Sequence, residues 1–248
     1  MKYHEYGRNN KDTVVLLHGG GLSWWGHREA AEFLQKDYHV ILPVLDGHAE
    51  SDRPFTTIED NAAEIISFID EHLDGSVTLL GGLSLGAQIR LEILSQRNDI
   101  CRYALIESAD VIPSKLTNAL IGPALHSSYA LIKSRSFARL QFKSLHIKPE
   151  LFEDYYRDSC RISKQDMIAF MKANTSYSLK DSFSRVTAEI HVYYGEKEIG
   201  EIKQSAKAIC QANPSCRLHE LKGLRHGEFS INHASRYADE IRNIIKNI

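Results

Sequence analysis

Gly82-Leu83-Ser84-Leu85-Gly86 stands between an apolar run, Val77-Thr78-Leu79-Leu80, and an amphipathic stretch that begins at Ala87. A buried strand therefore runs into a turn and straight on into a helix, and the chain must reverse sharply at the serine. Glycine on both sides removes the Cβ atoms that would collide in such a turn and tolerates positive φ. The turn lifts Ser84 Oγ off the sheet edge and brings the Leu85 N–H to a helix start. There, unpaired amides and the helix dipole favour developing negative charge. The bland alternative is a serine-capped glycine turn without chemistry, and the rest of the chain has to decide between the two.

Short β-rich apolar runs alternate with helical patterns along most of the sequence. Strands are expected at residues 2–6, 13–17, 39–44, 77–80, 103–106, 190–194 and 217–221. Helices are expected at 28–36, 57–72, 85–96, 202–211 and 234–247, the last from Tyr237, Ile241, Ile244 and Ile245 at helical spacing. This alternation predicts an α/β fold, a mostly parallel central sheet with helices on both faces. It breaks at residues 111–184, which are nearly strandless, with helical patterns at 115–120, 124–142, 149–156 and 164–173 and punctuation at Pro113, Gly122-Pro123 and Lys148-Pro149. The expected organisation is a core of residues 1–110 and 185–248 with an inserted helical cap at 111–184. That segment carries eleven Lys/Arg against six Asp/Glu, in a chain whose net charge is −2. It reads as a basic cap resting on an acidic core; the sharper reading is a cap that attracts anionic substrates or an anionic surface.

Composition excludes several classes. With 43% apolar and 25% charged residues the chain is an ordinary globular one, and its near-neutral charge gives no electrostatic case for nucleic acid. No apolar run approaches the ~18 residues of a transmembrane helix. The first residues have no apolar h-region, so a cytoplasmic location is expected. Cys101, Cys160, Cys210 and Cys216 show no Cys-x-x-Cys spacing and are expected to be free thiols. No His-Glu-x-x-His is present, and neither a metal nor a cofactor is expected.

An acyl-transfer site needs a nucleophile, a base, an acid to hold the base, and two amide donors for the oxyanion. Ser84 is the candidate nucleophile. The strand at 13–17 ends in His18-Gly19-Gly20-Gly21, where backbone N–H groups can approach a substrate oxygen. Gly20 is the candidate donor, with Gly21 as the fallback, and Leu85 supplies the second N–H. Late in the chain, Lys222-Gly223-Leu224-Arg225-His226-Gly227 follows the last strand, making His226 the candidate base ahead of His219 and His233. Glu198, three residues after Gly195 at the end of a strand, is the candidate acid; Asp110 is the alternative, and Glu196 reads as a solvated charge. Trp24 and Trp25, just past the glycine loop, are candidates for lining the substrate pocket, and Trp25 with Gly21 is expected to touch substrate. The cap aromatics Tyr129, Phe137, Phe142, Tyr155 and Tyr156 read as packing.

These segments, His18-Gly19-Gly20-Gly21, Gly82-Leu83-Ser84-Leu85-Gly86, Gly195-x-x-Glu198 and Gly223-x-x-His226, resemble the α/β-hydrolases of the capped esterase, lipase and C–C hydrolase type over essentially the whole chain. Nucleophile, acid and base fall in that family's order. Leu45-Asp46-Gly47-His48-Ala49-Glu50-Ser51-Asp52 is similar to the family loop after the next strand, without its usual proline and second glycine, and His48 there is a loop residue near the mouth and not a catalytic one. Departures are Glu for the commoner Asp acid and Leu83 before the serine. His-Gly-Gly-Gly is similar to the hormone-sensitive-lipase branch, which the elbow and cap position do not resemble. Ser84, where a dehalogenase has Asp, argues against that chemistry. The resemblance implies a serine hydrolase acting on a small-molecule ester or thioester through an acyl-Ser84 intermediate. The alternatives are C–C hydrolase, perhydrolase or lyase chemistry on the same triad, or a low-turnover ligand receptor on this scaffold.

Overall fold

The computed structural model describes residues 1–246. Each apolar run becomes a strand because both of its faces have a layer to bury against. The strands are β1 (Tyr3–Tyr6), β2 (Thr13–Leu17), β3 (His39–Pro43), β4 (Val77–Leu83), β5 (Cys101–Glu107), β6 (Glu189–Gly195) and β7 (Cys216–Leu221). They form one sheet in the order β1-β3-β2-β4-β5-β6-β7, with β1 antiparallel to β3 and the other pairings parallel. The helices are α1 (Arg28–Leu34), α2 (Ile58–His72), α3 (Leu85–Gln96), α4 (Lys115–Ile132), α5 (Arg135–Ser144), α6 (Phe152–Ser159), α7 (Lys164–Asn174), α8 (Gly200–Ala212), α9 (Glu228–Asn232) and α10 (Ala234–Lys246).

The strand period of two sorts the core into two layers. Val15 and Leu17 of β2, Ile41 of β3 and Leu80 of β4 bury against α2, α3 and α8. Their neighbours Val14, Leu16, Leu42 and Leu79 bury against α1 and α10. From β2 the chain steps outward to β3, then returns past β2 to β4. The sheet therefore reverses direction between β2 and β4, and a crevice opens at the carboxyl ends of those two strands, where open α/β sheets bind ligands. Gly20 and Ser84 both lie there.

Between β5 and β6 the described chain has only helical elements, α4 to α7 with short 3-10 turns. The expected break at Gly122-Pro123 does not occur: α4 runs through it, with Pro123 inside the helix. Pro123 forfeits the N–H that would bond to the Ala119 carbonyl. Burial of Ile121, Leu125 and Ile132 along one face holds the helix together regardless, and the break falls at Lys133-Ser134 instead. A separate apolar cluster joins this insertion to the core, with Phe142, Phe152 and Tyr155 against Leu22, Trp25, Leu83 and Ile231. Asn247, the last residue of the expected final helix, lies outside the described residues. No described helix is long and apolar enough to cross a membrane.

The expectation of four free thiols is overturned as well. Cys210 at the end of α8 and Cys216 at the start of β7 form a disulfide, with Cα atoms 4.9 Å apart; Cys101 and Cys160 are free. Their six-residue separation matches no redox or zinc spacing, and only the tight α8–β7 connection brings them together. Closing so short a loop is worth about 2 kcal/mol in the chain-entropy account. Thiol titration of the denatured, unreduced protein is expected to find two reactive cysteines, rising to four after reduction. Four before reduction would contradict the bridge.

Candidate active site

β4 ends at Leu83 and α3 begins at Leu85, so Ser84 alone makes the turn, at φ 53° and ψ −114°. A non-glycine residue held there stores roughly 1–3 kcal/mol. The serine, and neither flanking glycine, carries the positive φ. The glycines are needed for space. A Cβ on Gly82 would stand 2.5 Å from the Gly86 carbonyl oxygen, and one on Gly86 would stand 2.4 Å from that of Leu17. The turn is held from both sides: Ser84 N–H donates to the Glu107 carbonyl (2.9 Å), and the Ser84 carbonyl accepts from Gln88 N–H (3.0 Å). Leu85 N–H is among the amides a helix start leaves without an intrahelical partner.

Two buried histidines fix the glycine loop after β2. His18 Nδ1–H donates to the Gly19 carbonyl (2.9 Å) while Nε2 accepts from Leu45 N–H (3.2 Å). His48 Nε2 accepts from Gly21 N–H (3.0 Å) and its Nδ1–H donates to the Asp46 carbonyl (3.0 Å). Accepting at Nε2 requires neutral rings. Burial keeps them neutral, taking His48 down to about 4 and His18 well below the usual histidine range. The Gly21 N–H is thus spent on His48, which removes it as the fallback oxyanion donor. Gly20 lies against Leu85, whose side chain would be 3.4 Å from a Cβ at position 20. His48 is buried and holds the loop, a role its sequence position near the mouth did not reveal. Its signal was the Asp46-Gly47 turn just before it, with Gly47 at φ 72°.

The loops after β6 and β7 meet because Gly195 has no side chain: a Cβ there would be 2.3 Å from the Leu224 carbonyl. This brings Glu198 beneath His226. His226 Nδ1–H donates to Glu198 Oε2 (2.9 Å). The other oxygen, Oε1, accepts from Gly195 N–H (2.8 Å) and Ser108 Oγ–H (2.7 Å). The carboxylate is 1% exposed and the imidazole 48%, so a buried carboxylate holds an open imidazole. Burial works to raise the Glu198 carboxyl, but the hydrogen bond and charge of His226 and the Gly195 and Ser108 donors outweigh it and hold it below the usual range. Asp110 is engaged elsewhere, accepting from Ser205 Oγ–H (2.9 Å) and Ile112 N–H (3.0 Å). Glu196 accepts from Gly223 N–H (2.8 Å), so it tethers the two loops and is more than a solvated charge.

Ser84, Gly20, Glu198 and His226 line one cavity of about 560 Å³. Of the non-glycine residues at positive φ among those described, Ser84, Ser108 and His146 line it as well, so backbone strain gathers around this site. Two expectations are corrected here. Gly21 and Trp25 do not line the cavity. Trp25 is buried in the cluster between core and insertion, and its Nε1–H donates to the buried Asp158 of α6 (2.8 Å). Trp24 stacks on His4 and donates to Glu50. Sequence reasoning missed Gln88. Fully buried on α3, it donates to the Asp110 and Asn174 carbonyls (2.7 and 2.8 Å) and accepts from Asn174 Nδ2–H (2.8 Å), pinning α7 one turn past the serine. Among the described residues, no three His, Cys, Asp or Glu gather to hold a metal ion.

A second carboxyl lies next to the Glu198–His226 pair. Glu107, at the end of β5, is buried and accepts from Ser230 N–H (3.3 Å). Burial, reinforced by the nearby Glu198 charge, pushes it up to about 7 against the hydrogen bonds from Ser230.

The sequence profile of the Alpha/beta hydrolase family matches residues 14–240. An uncharacterized hydrolase of Bacillus subtilis, YugF, is 31% identical over 101 residues, 40% of this chain and 37% of that protein, so the match spans little more than a third of the relative. Among solved structures, an esterase from Exiguobacterium antarcticum superposes with a TM-score of 0.82 at 20% identity, over 98% of this chain and 94% of the other. A thermophilic esterase from Thermogutta terrifontis gives 0.80 at 16%, over 99% and 93%. The enol-lactonase from Burkholderia xenovorans gives 0.79 at 16%, over 99% and 96%. At these identities the structures share the fold.

Glu107 generates a pH prediction. The native carboxyl keeps its proton up to about pH 7, whereas an unfolded one loses it near ~4.3. Stability therefore falls as pH rises between these values. Glu107→Gln keeps the shape of the protonated acid, so it is expected to leave the melting temperature unchanged near pH 4 and raise it at pH 8. Equal destabilisation at both pH values would contradict a protonated Glu107.

Proposed function

Because the chain belongs to the alpha/beta hydrolase family, we propose that it is a serine hydrolase that cleaves a carboxylic ester or thioester of a small molecule through an acyl-Ser84 intermediate. The observation that carries this reading is the His226–Glu198 pair on the wall of the cavity that also holds Ser84. Glu198 fixes the proton on Nδ1, which leaves Nε2 as the basic nitrogen.

In the first step Ser84 Oγ bonds to the carbonyl carbon as its proton passes to His226 Nε2. The carbonyl oxygen becomes an oxyanion between the Gly20 and Leu85 N–H groups, where losing one donor costs about 3–4 kcal/mol of transition-state stabilisation. The bond to the leaving group then breaks as His226 returns the proton to it. Water, deprotonated by the same histidine, releases the acid and restores Ser84. Glu198 stays ionised throughout and stabilises the imidazolium. The fold likeness to two esterases and an enol-lactonase supports the ester class.

Ser84→Ala is expected to abolish both labelling by a fluorophosphonate probe and turnover of p-nitrophenyl acetate; undiminished turnover would sink the assignment. Glu198→Gln is expected to lower kcat by roughly 10³–10⁴-fold with little change in KM, as for other triads that lose the charge of their acid. Labelling of the wild type without steady-state turnover would favour the receptor reading.

A further inference from the structure

Ser84 lies where two cavities meet. The larger, about 560 Å³, contains His226 and Glu198. The smaller, about 210 Å³, is lined by Leu85 of α3 with Phe170, Met171 and Thr175 of the insertion, and does not reach His226. Gly20, Ser84 and Asn174 border both. A Cβ at position 20 would sit in ordinary van der Waals contact with Leu85 and Phe170, at 3.4–3.5 Å, and would take up space that the smaller cleft now holds.

We infer that the smaller cleft receives the acyl group and the larger cavity the leaving group, which makes the substrate class esters of short acids with bulkier alcohols or phenols. This rests on the acyl-Ser84 reading. The carbon bonded to Ser84 Oγ has three other substituents in the tetrahedral intermediate. The oxyanion points at the Gly20 and Leu85 amides. The leaving oxygen has to lie within hydrogen-bond reach of His226, because that histidine returns the proton to it as the C–O bond breaks. The leaving group therefore extends into the cavity that contains His226. The remaining substituent, the acyl chain, is directed away from the histidine, past the oxyanion donors, and meets the apolar wall of Leu85, Phe170 and Met171. The cleft has well under half the volume of its neighbour, so the acid part is the smaller half of the substrate. Met171 and Phe170 come out as specificity-determining residues. Phe170 is buried and stacks on His48, so its position is tied to the oxyanion loop. Met171 is partly exposed, which makes it the side chain to change.

The test measures kcat/KM for p-nitrophenyl acetate, butyrate and octanoate, and for 1-naphthyl acetate as a bulkier leaving group. The wild type is expected to lose at least ~10-fold from butyrate to octanoate, the scale on which a tight pocket discriminates chain length. Met171→Trp should depress butyrate against acetate by ~10-fold, and Met171→Ala should raise octanoate against acetate. Neither should move the naphthyl-to-nitrophenyl ratio. Ile199→Trp, an exposed position on the larger cavity, should move that ratio and leave acyl selectivity alone. If Ile199→Trp changes acyl selectivity while the Met171 variants do not, the assignment is reversed and the inference fails while the hydrolase reading stands. Flat acyl selectivity in all variants also overturns it. Absence of any ester turnover that depends on Ser84 removes the hydrolase reading, and this one with it.

Discussion

The candidate site depends on how closely three stretches of backbone can approach at the end of β4. Leu17 and His18, leaving β2, press on Gly86, while Gly82 and Gly86 press on each other, all at separations no Cβ tolerates. Only with both glycines in place can α3 start immediately after the strand. That leaves Ser84 as the sole hinge residue and forces it to positive φ. The strain is thus a consequence of packing on either side, and it persists because the surrounding structure over-determines it. The same crowding sets the Leu85 amide at the helix start beside the glycine loop that holds Gly20.

From the turn at Ser84, a short run of β5 carries position to the Glu198–His226 pair. The Glu107 carbonyl accepts from the Ser84 N–H, and the next residue, Ser108, donates its hydroxyl to Glu198. Ser108 is itself at positive φ, with its N–H bonded to the Tyr193 carbonyl of β6. Ser84, Glu198 and His226 are therefore referenced to one rigid pair of neighbouring strands, although they come from three separate loops. A glutamate at position 198, one methylene longer than an aspartate, suits this arrangement. Its two oxygens are divided between His226 on one side and Gly195 and Ser108 on the other.

How much of this the sequence discloses follows from the range of the forces involved. Strand positions were legible because alternation is local and both faces of the sheet are buried; all seven expected strands are present, with ends moved by up to three residues. The helix break at Gly122-Pro123 was misread because local propensity lost to burial of Ile121, Leu125 and Ile132 on one face. The Gly20 and His226 loops could be picked from glycines next to strand ends. What single positions could not show was pairwise: the Cys210–Cys216 bridge, the capture of the Gly21 amide by His48, and the clamp that Gln88 makes on Asn174. Trp25 illustrates the same limit. Its place after the glycine loop suggested the pocket, whereas a hydrogen bond to Asp158, distant in sequence, draws it into the contact between core and insertion.

The charge asymmetry between the two parts resolves in the same pairwise terms. The cations of the insertion do not line the cavity; Lys148 reaches Glu29, and Lys180 reaches Glu59 and Glu92, all acids of the core. The exchange also runs in reverse, from Arg28 of the core to Asp154 of α6. Exposed pairs of this kind contribute about 0–1 kcal/mol each and weaken with salt. They cannot be what holds the insertion down; apolar burial supplies that, in the cluster around Trp25, Phe142 and Phe152 and through Ile121, Leu125, Met167 and Phe170 in the main core. The cations that do line the cavity, Lys197 and Arg225, belong to the core loops and directly precede Glu198 and His226 in the chain. Lys148 and Lys180 thus seat part of the insertion's positive charge on core acids, while Arg135 and Arg157 pair with acids of the insertion itself; the charged side chains that line the cavity, Asp110, Lys197, Glu198 and Arg225, all belong to the core.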